Sequence, residues 1–264
     1  YFQTKTIAKK LDVLNAQEYL KHTWSFAKSM GMDKNIAEYF GLGAANGNHW
    51  NEYANVEAHD WTEDMLRTAN AWNHNISIAG GNEKTKFTFS VNYNDDEGLK
   101  INSGYERFST NFKLKQNLAK GVDMDLDVRY TETEVSGRES WVNSRGTHMS
   151  RAYQYRPIVD PLGTGVDALL GMGADHVEAG RGPVELTNDV NNISKVNNLR
   201  GIAALSWEIM KGLTVRSEIG LTRNWNQTRY YEGGLSSGFK KATLNNSNGQ
   251  SYRWVNTINY EVHG

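Results

Sequence analysis

The sequence predicts an all-β protein: an antiparallel transmembrane β-barrel segment of about eight strands, part of a larger barrel, with long outer loops that contain short helices. Three observations carry this reading. Apolar and polar residues alternate with period two in segment after segment. The connections between these segments alternate between very short and very long. No apolar run approaches the roughly 18 residues that a membrane helix needs, while a mean hydropathy of -0.66 suits barrel strands that hide apolar residues at every second position.

The alternation is clearest in Val122–Tyr130, where Val122, Met124, Leu126, Val128 and Tyr130 interleave with Asp123, Asp125, Asp127 and Arg129. Lys86–Tyr93 places Phe87, Phe89, Val91 and Tyr93 opposite Lys86, Thr88, Ser90 and Asn92. Phe108–Leu118 sets Phe108, Phe112, Leu114 and Leu118 against Ser109, Asn111, Lys113 and Lys115. Leu199–Ile209, Leu213–Leu221 and Tyr252–Val262 repeat the pattern, Trp72–Ala79 does so more weakly, and Tyr1–Thr4 reads as a strand stub. Segments of roughly 9–11 residues cross a bilayer when tilted.

Gly80-Gly81-Asn82-Glu83-Lys84, Ala119-Lys120-Gly121 and Met210-Lys211-Gly212 read as tight hairpin turns. Between them lie excursions of about Lys5–Ala71, Asn94–Gly104, Thr131–Asn198 and Asn224–Ser251. Short turns at one end and long loops at the other are the outer-membrane barrel arrangement. Within the first excursion, Asn15 and Glu18 have capping-box spacing and Gly31 stands where a helix would end; Asp60 and Glu63 repeat the device. Thr131–Asn198 has no steady period and holds all three prolines, so it reads as an irregular loop.

A net charge of -1 with dispersed Lys and Arg gives no field for nucleic acid. The absence of cysteine excludes disulfides, thiolate metal sites and a cysteine nucleophile. The seven histidines show no metal spacing, and Gly41-Leu42-Gly43 and Gly171-Met172-Gly173 lack the strand–helix context of nucleotide loops. No catalytic, cofactor or metal site is expected. Asp95-Asp96-Glu97 reads as a solvated acidic turn rather than a calcium loop.

Lys9-Lys10-Leu11-Asp12-Val13-Leu14-Asn15-Ala16-Gln17-Glu18-Tyr19 resembles the KKLDLLNAQEY run of SusC/RagA-type TonB-dependent transporters. Asp60-Trp61-Thr62-Glu63-Asp64-Met65-Leu66-Arg67-Thr68 is similar to their DWxDxxFRT segment, with Leu66 in place of the aromatic residue. Asn73-His74-Asn75-Ile76-Ser77-Ile78-Ala79-Gly80-Gly81-Asn82-Glu83-Lys84-Thr85 resembles NHNLSISGGNEKT. Asp96-Glu97-Gly98 with Tyr105-Glu106-Arg107-Phe108, and then Lys211-Gly212-Leu213-Thr214-Val215-Arg216-Ser217, match further family runs in family order. The resemblance implies a barrel of about 22 strands in the Gram-negative outer membrane, with a plug inside it, a SusD-like lipoprotein lid, energy from TonB, and oligosaccharide or peptide cargo. Residues 1–264 are then expected to be part of the barrel domain, with the plug and later strands outside this chain.

Aromatic residues crowd the predicted loops. Trp50, Trp141, Tyr153, Tyr155, Tyr230 and Tyr231 are the candidates for cargo or lid contact, since flat rings stack on sugar faces and pack against peptide side chains. Trp207, Trp225 and Trp254 fit an interfacial girdle or a lipid-facing position instead. Two other classes compete: a barrel hydrolase using the rim pairs Asp95-Asp96 and Asp175-His176, and a soluble glycan-binding β-protein.

Overall fold

The computed structural model describes residues 2–3, 11–29, 31, 58–137, 148–155, 157, 182–235 and 238–261. Eight strands follow one another in a single antiparallel meander: β1 (Phe2–Gln3), β2 (Ala69–Gly81), β3 (Thr85–Glu97), β4 (Gly104–Ala119), β5 (Val122–Ser136), β6 (Val190–Met210), β7 (Leu213–Glu232) and β8 (Lys241–Tyr260). Spatial order equals chain order. Among the described residues β8 does not meet β1, so the sheet is open. No described helix is long and apolar enough to cross a membrane, which says nothing of strands.

The short turns follow from local chemistry. Asn82 accepts from the backbone N–H groups of Lys84 and Thr85 at 2.8 and 2.9 Å, closing the β2–β3 hairpin as an Asx turn. Gly212, at φ +82°, turns β6 into β7 where an added Cβ would stand 2.3 Å from the Glu261 carbonyl oxygen. Only glycine fits there.

Register decides which residues share a face, because directly opposed residues point the same way. One row runs Phe87, Leu114, Leu126, Ala203, Ile219, Trp254, and the next Phe89, Phe112, Val128, Gly201, Leu221, Tyr252. Val91, Met124, Leu205 and Ile258 lie in other rows of this face. The opposite face carries Lys113, Asp125, Asp127, Arg216 and Glu218. There Arg216 donates to Asp125 at 2.7 Å and to Glu218 at 3.4 Å, and Lys113 lies 3.7 Å from Asp127.

The apolar face has a measurable height. Trp207 pairs with Val215 at its lower edge, and Trp225 marks its upper edge beside Tyr130, the two rings 6.2 Å apart. Ten residues separate Val215 from Trp225 on β7. At ~3.3 Å per residue they span ~33 Å along the strand, or ~25 Å at a tilt of about 40°, the height of an outer-membrane hydrocarbon band between aromatic girdles. Polar intrusions into the band are answered locally. The Trp254 indole donates to Ser217 at 3.0 Å, and the Arg223 guanidinium lies 5.7 Å from the Trp225 ring centroid.

The strands outrun the expectation. β2 to β8 contain 13 to 21 residues. The expected loop at 224–251 shrinks to residues 233–240, because β7 and β8 stay paired to Glu232↔Lys241. Trp225 therefore lies within β7, not beyond a strand end. Likewise the described residues of the expected irregular loop 131–198 include the end of β5, two short helices and the start of β6. Beyond Trp225 the side-chain alternation ends while backbone pairing continues.

Among the described residues four helices lie at the long-loop end: α1 (Ala16–Ser29), α2 (Trp61–Asp64), α3 (His148–Gln154) and α4 (Pro183–Asn188). The Asn15/Glu18 capping box is reciprocal, with Asn15 accepting from the Glu18 N–H at 2.9 Å and Glu18 from the Asn15 N–H at 3.0 Å. A small core forms around fully buried Met65, with Thr62, Ala152, Leu186 and Thr187. Arg67 donates to the Gly98 and Ser103 carbonyls, Lys100 to the Gly137 carbonyl, and the Leu235 N–H to Asp189, so all the described long connections are knit together at one end.

If the apolar face meets hydrocarbon, Leu126→Arg in the whole protein should cost about 2–4 kcal/mol and Asp125→Asn less than about 1 kcal/mol, read by denaturant unfolding from lipid bilayers. Equal costs would contradict the assignment of faces.

Candidate functional site

The long-loop end opens a cavity of about 830 Å3. Its walls come from three separate pieces of chain: the residues before and within the first turns of α1, the stretch 58–62 entering α2, and the end of α3 with Tyr153, Tyr155 and Pro157. The capping box fixes where α1 begins, and Asp60 caps α2 by accepting from the Thr62 N–H at 3.0 Å. The two loops are joined where the His59 N–H donates to the Pro157 carbonyl at 2.9 Å.

An aromatic group lines the cavity. The Trp61 ring lies 5.2 Å from Tyr155 and 4.4 Å from His59, both edge to face. On its other side Trp61 closes on the backbone at Gly182, where an added Cβ would come within 3.3 Å of the indole. His59 is held by Asp64, its Nε2 2.6 Å from the carboxylate. Leu11, Val13 and Leu14 add exposed apolar surface, while Asp12, Glu18, Asp60 and His22 add polar groups. A concave wall with aromatic, apolar and hydrogen-bonding groups suits an extended organic ligand or a partner protein.

The structure brings Tyr153 and Tyr155 together at this cavity. Tyr230 and Tyr231 lie apart from it, on opposite faces of β7. Trp50 and Trp141 lie outside the described residues, as do Tyr53, Asp175 and His176. Trp61 and His59 complete the ring cluster. Helix signals around Asp60 were readable, but only folding of the loops shows that Trp61 meets Tyr155.

Asp95 and Asp96 stand on β3 rather than on a loop tip and point to opposite faces. Glu97 accepts from the Asn70 N–H at 2.9 Å. The acidic turn expected from sequence is thus a strand end, and the two aspartates form no pair at one site. Among the described residues no group of His, Asp and Glu is arranged to hold a metal.

Tyr230 is on the polar face, five residues beyond Trp225 on the same strand. Burial pushes its hydroxyl up to about 12, helped by the Glu232 carboxylate, which accepts from it at 3.1 Å. Lys241 lies 5.6 Å from its ring centroid.

No family model matches the chain. TonB-dependent receptor P3 of Formosa agariphila is 24% identical over 170 residues, 62% of this chain and 16% of that protein. TonB-dependent receptor SusC of Bacteroides thetaiotaomicron is 31% identical over 106 residues, 40% of this chain and 9% of that protein. This chain resembles part of the SusC/RagA type of TonB-dependent transporter. The solved RagAB peptide transporter superposes with a TM-score of 0.61 at 15% identity over 98% of this chain and 31% of that one. The RagAB peptide importer in its closed-closed state gives 0.64 at 14% identity, covering 99% and 32%. The fold is therefore that of a partial TonB-dependent barrel, and the matches span only a minor share of these SusC/RagA-type proteins' length.

Because the folded pKa of Tyr230 is raised above 10.0, its contribution to stability is complete below about pH 10 and is lost as pH rises towards 12. Spectrophotometric titration should show a tyrosine step near 12 that Tyr230→Phe removes. Identical titrations of the two proteins would contradict this environment.

Proposed function

We propose that this chain forms wall and outer rim of a TonB-dependent importer in the Gram-negative outer membrane, taking up oligosaccharides or peptides under a SusD-like lipoprotein lid. In this reading the apolar face meets outer-membrane lipid, the polar face lines the lumen, and the long-loop end is extracellular. TonB acts through parts of the protein outside this chain. The chain carries wall and recognition surface and no catalysis.

The observation that carries the proposal is the pairing of an apolar face about 25 Å high with a polar opposite face across the six consecutive strand pairings from β2 to β8. A soluble glycan-binding protein would have to leave Ile76, Trp254 and Ile258, each about 70% exposed (67%, 72% and 72%), in water. Apolar surface spread over so many strands exceeds what soluble monomers expose. The barrel hydrolase reading loses its Asp95–Asp96 pair, since the two residues face opposite ways.

The rim cavity supports the lid and cargo reading. It combines rings, exposed aliphatic side chains and carboxylates at the end where the described parts of the long connections gather. Support for a SusD-like lid comes from the likeness to SusC, and support for peptide cargo from the solved RagAB peptide transporter. Trp50, Trp141, Tyr153, Tyr155, Tyr230 and Tyr231 remain the proposed contacts.

In the full-length protein, alanine at Tyr153 and Tyr155 should weaken cargo uptake or lid docking by about five-fold or more, the ~1 kcal/mol expected of a contact residue. Barrel assembly should be unchanged, because rim side chains add little to strand pairing. Unaltered uptake and lid affinity would remove the site and leave the barrel standing.

A further inference from the structure

The polar face divides into two electrostatic zones. In the lower rows the charges are matched: Asp125 and Glu218 share Arg216, with Lys115 directly opposite Asp125, and Asp127 faces Lys113. One row above Asp127, Arg129 on β5 stands directly opposite Arg200 on β6, and at the β8 end of the Asp127 row itself Arg253 lies opposite Gly220 on β7, on the same face. None of these three guanidinium groups has an ion pair or hydrogen bond among the described residues. Like charges on directly opposed positions repel, and the two carboxylates beside them on this face, Asp127 in the row of Arg253 and Glu218 in the notch wall, already have cationic partners.

Between Arg200 and Arg253 the missing side chain of Gly220 leaves an open notch of about 270 Å3, with Thr222, Ser251, Asn198 and the Arg216-paired Glu218 on its walls and Arg129 next to it, opposite Arg200. A Cβ at Gly220 would stand 3.7 Å from that of Arg253, so any larger residue would narrow the notch. The row above, Asn92, Ser109, Thr131, Asn198, Asn224 and Gly249, is polar and uncharged. An anion approaching from the long-loop end crosses this row without meeting a carboxylate in it.

We propose that Arg129, Arg200 and Arg253, around the Gly220 notch, form an anion-binding site on the lumen wall for carboxylate-bearing cargo. The inference rests on the polar face being the lumen. Charge complementarity selects the occupant. A carboxylate placed among three guanidinium groups turns mutual repulsion into charge-assisted, bidentate hydrogen bonding, and the hydroxyl and amide groups of Thr222, Ser251 and Asn198 serve neighbouring polar atoms. Matched charges lower on the same wall offer no such surplus, so the cargo's acid is held just beneath the outer girdle.

The test uses the full-length protein purified in detergent, with calorimetric titration of a short oligoglutamate peptide and its oligoglutamine counterpart. Wild type should bind oligoglutamate better than oligoglutamine, with affinity falling at high salt. The R129Q/R200Q/R253Q variant should bind oligoglutamate about ten-fold or more weakly and oligoglutamine as wild type does. Lysine at the same three positions should retain part of the preference. Equal oligoglutamate affinity in wild type and variant overturns the site, as does a wild type without preference, which is the result if a carboxylate of the protein itself already fills it. Heat-modifiable migration of each protein reports barrel assembly separately, so loss of the site is distinguishable from loss of the barrel.

Discussion

A backbone amide or carbonyl in hydrocarbon has no water to bond with, and the strand ladder is the constraint from which the rest of this structure follows. From β2 to β8 each strand is paired with the next, residue by residue. With the backbone committed in this way, side chains can only alternate. The period-two pattern, the two unlike faces and the separation of turns from loops are consequences of one hydrogen-bonding requirement. The same requirement means that an unpaired strand edge is costly in hydrocarbon.

Alternation also explains how a chain of low mean hydropathy presents a continuous apolar face. Leu126 and Asp127 are neighbours in sequence, yet one joins the row of Phe87 and Ile219 while the other meets Lys113. Each face is then free to serve its own purpose: one of fixed height bounded by aromatic rings, the other carrying charges whose pairing changes with depth. Above the girdle the ladder continues without the need for an apolar side, and the small core around Met65 ties the loops into a rim. Few buried apolar contacts hold this rim, which places it at the low-stability end of the molecule, where binding surfaces are commonly drawn.

The fold was largely legible because its strongest determinant, period two, is a local property. All eight strands were found, and Asn15 with Glu18 announced the start of α1 from spacing alone. What escaped was everything beyond the apolar band. Asn245, Asn246 and Asn248 read as loop, since asparagine is a poor strand former, yet they pair with Thr228, Gln227 and Trp225. The helices α3 and α4 escaped because they are short and stabilised by tertiary packing rather than by a periodic face. The candidate site was legible only as composition. Tyr153 and Tyr155 stood out as rim aromatics, but their meeting with Trp61 and the α1 approach depends on contacts between distant segments. The arginine cluster was equally hidden, because Arg129, Arg200 and Arg253 become neighbours only through strand register.

The central claim is that the two faces meet different media, lipid on one side and an aqueous lumen on the other. The chain has no cysteine, so single cysteines can carry nitroxide labels at adjacent positions of the full-length protein in bilayers. Spin-label accessibility at Leu126 and Asp127 on β5, and at Glu218 and Ile219 on β7, measures the medium directly. Labels at Leu126 and Ile219 should relax with dissolved oxygen and not with a water-soluble nickel chelate, and labels at Asp127 and Glu218 the reverse. Equal nickel accessibility at both members of each pair would contradict the barrel.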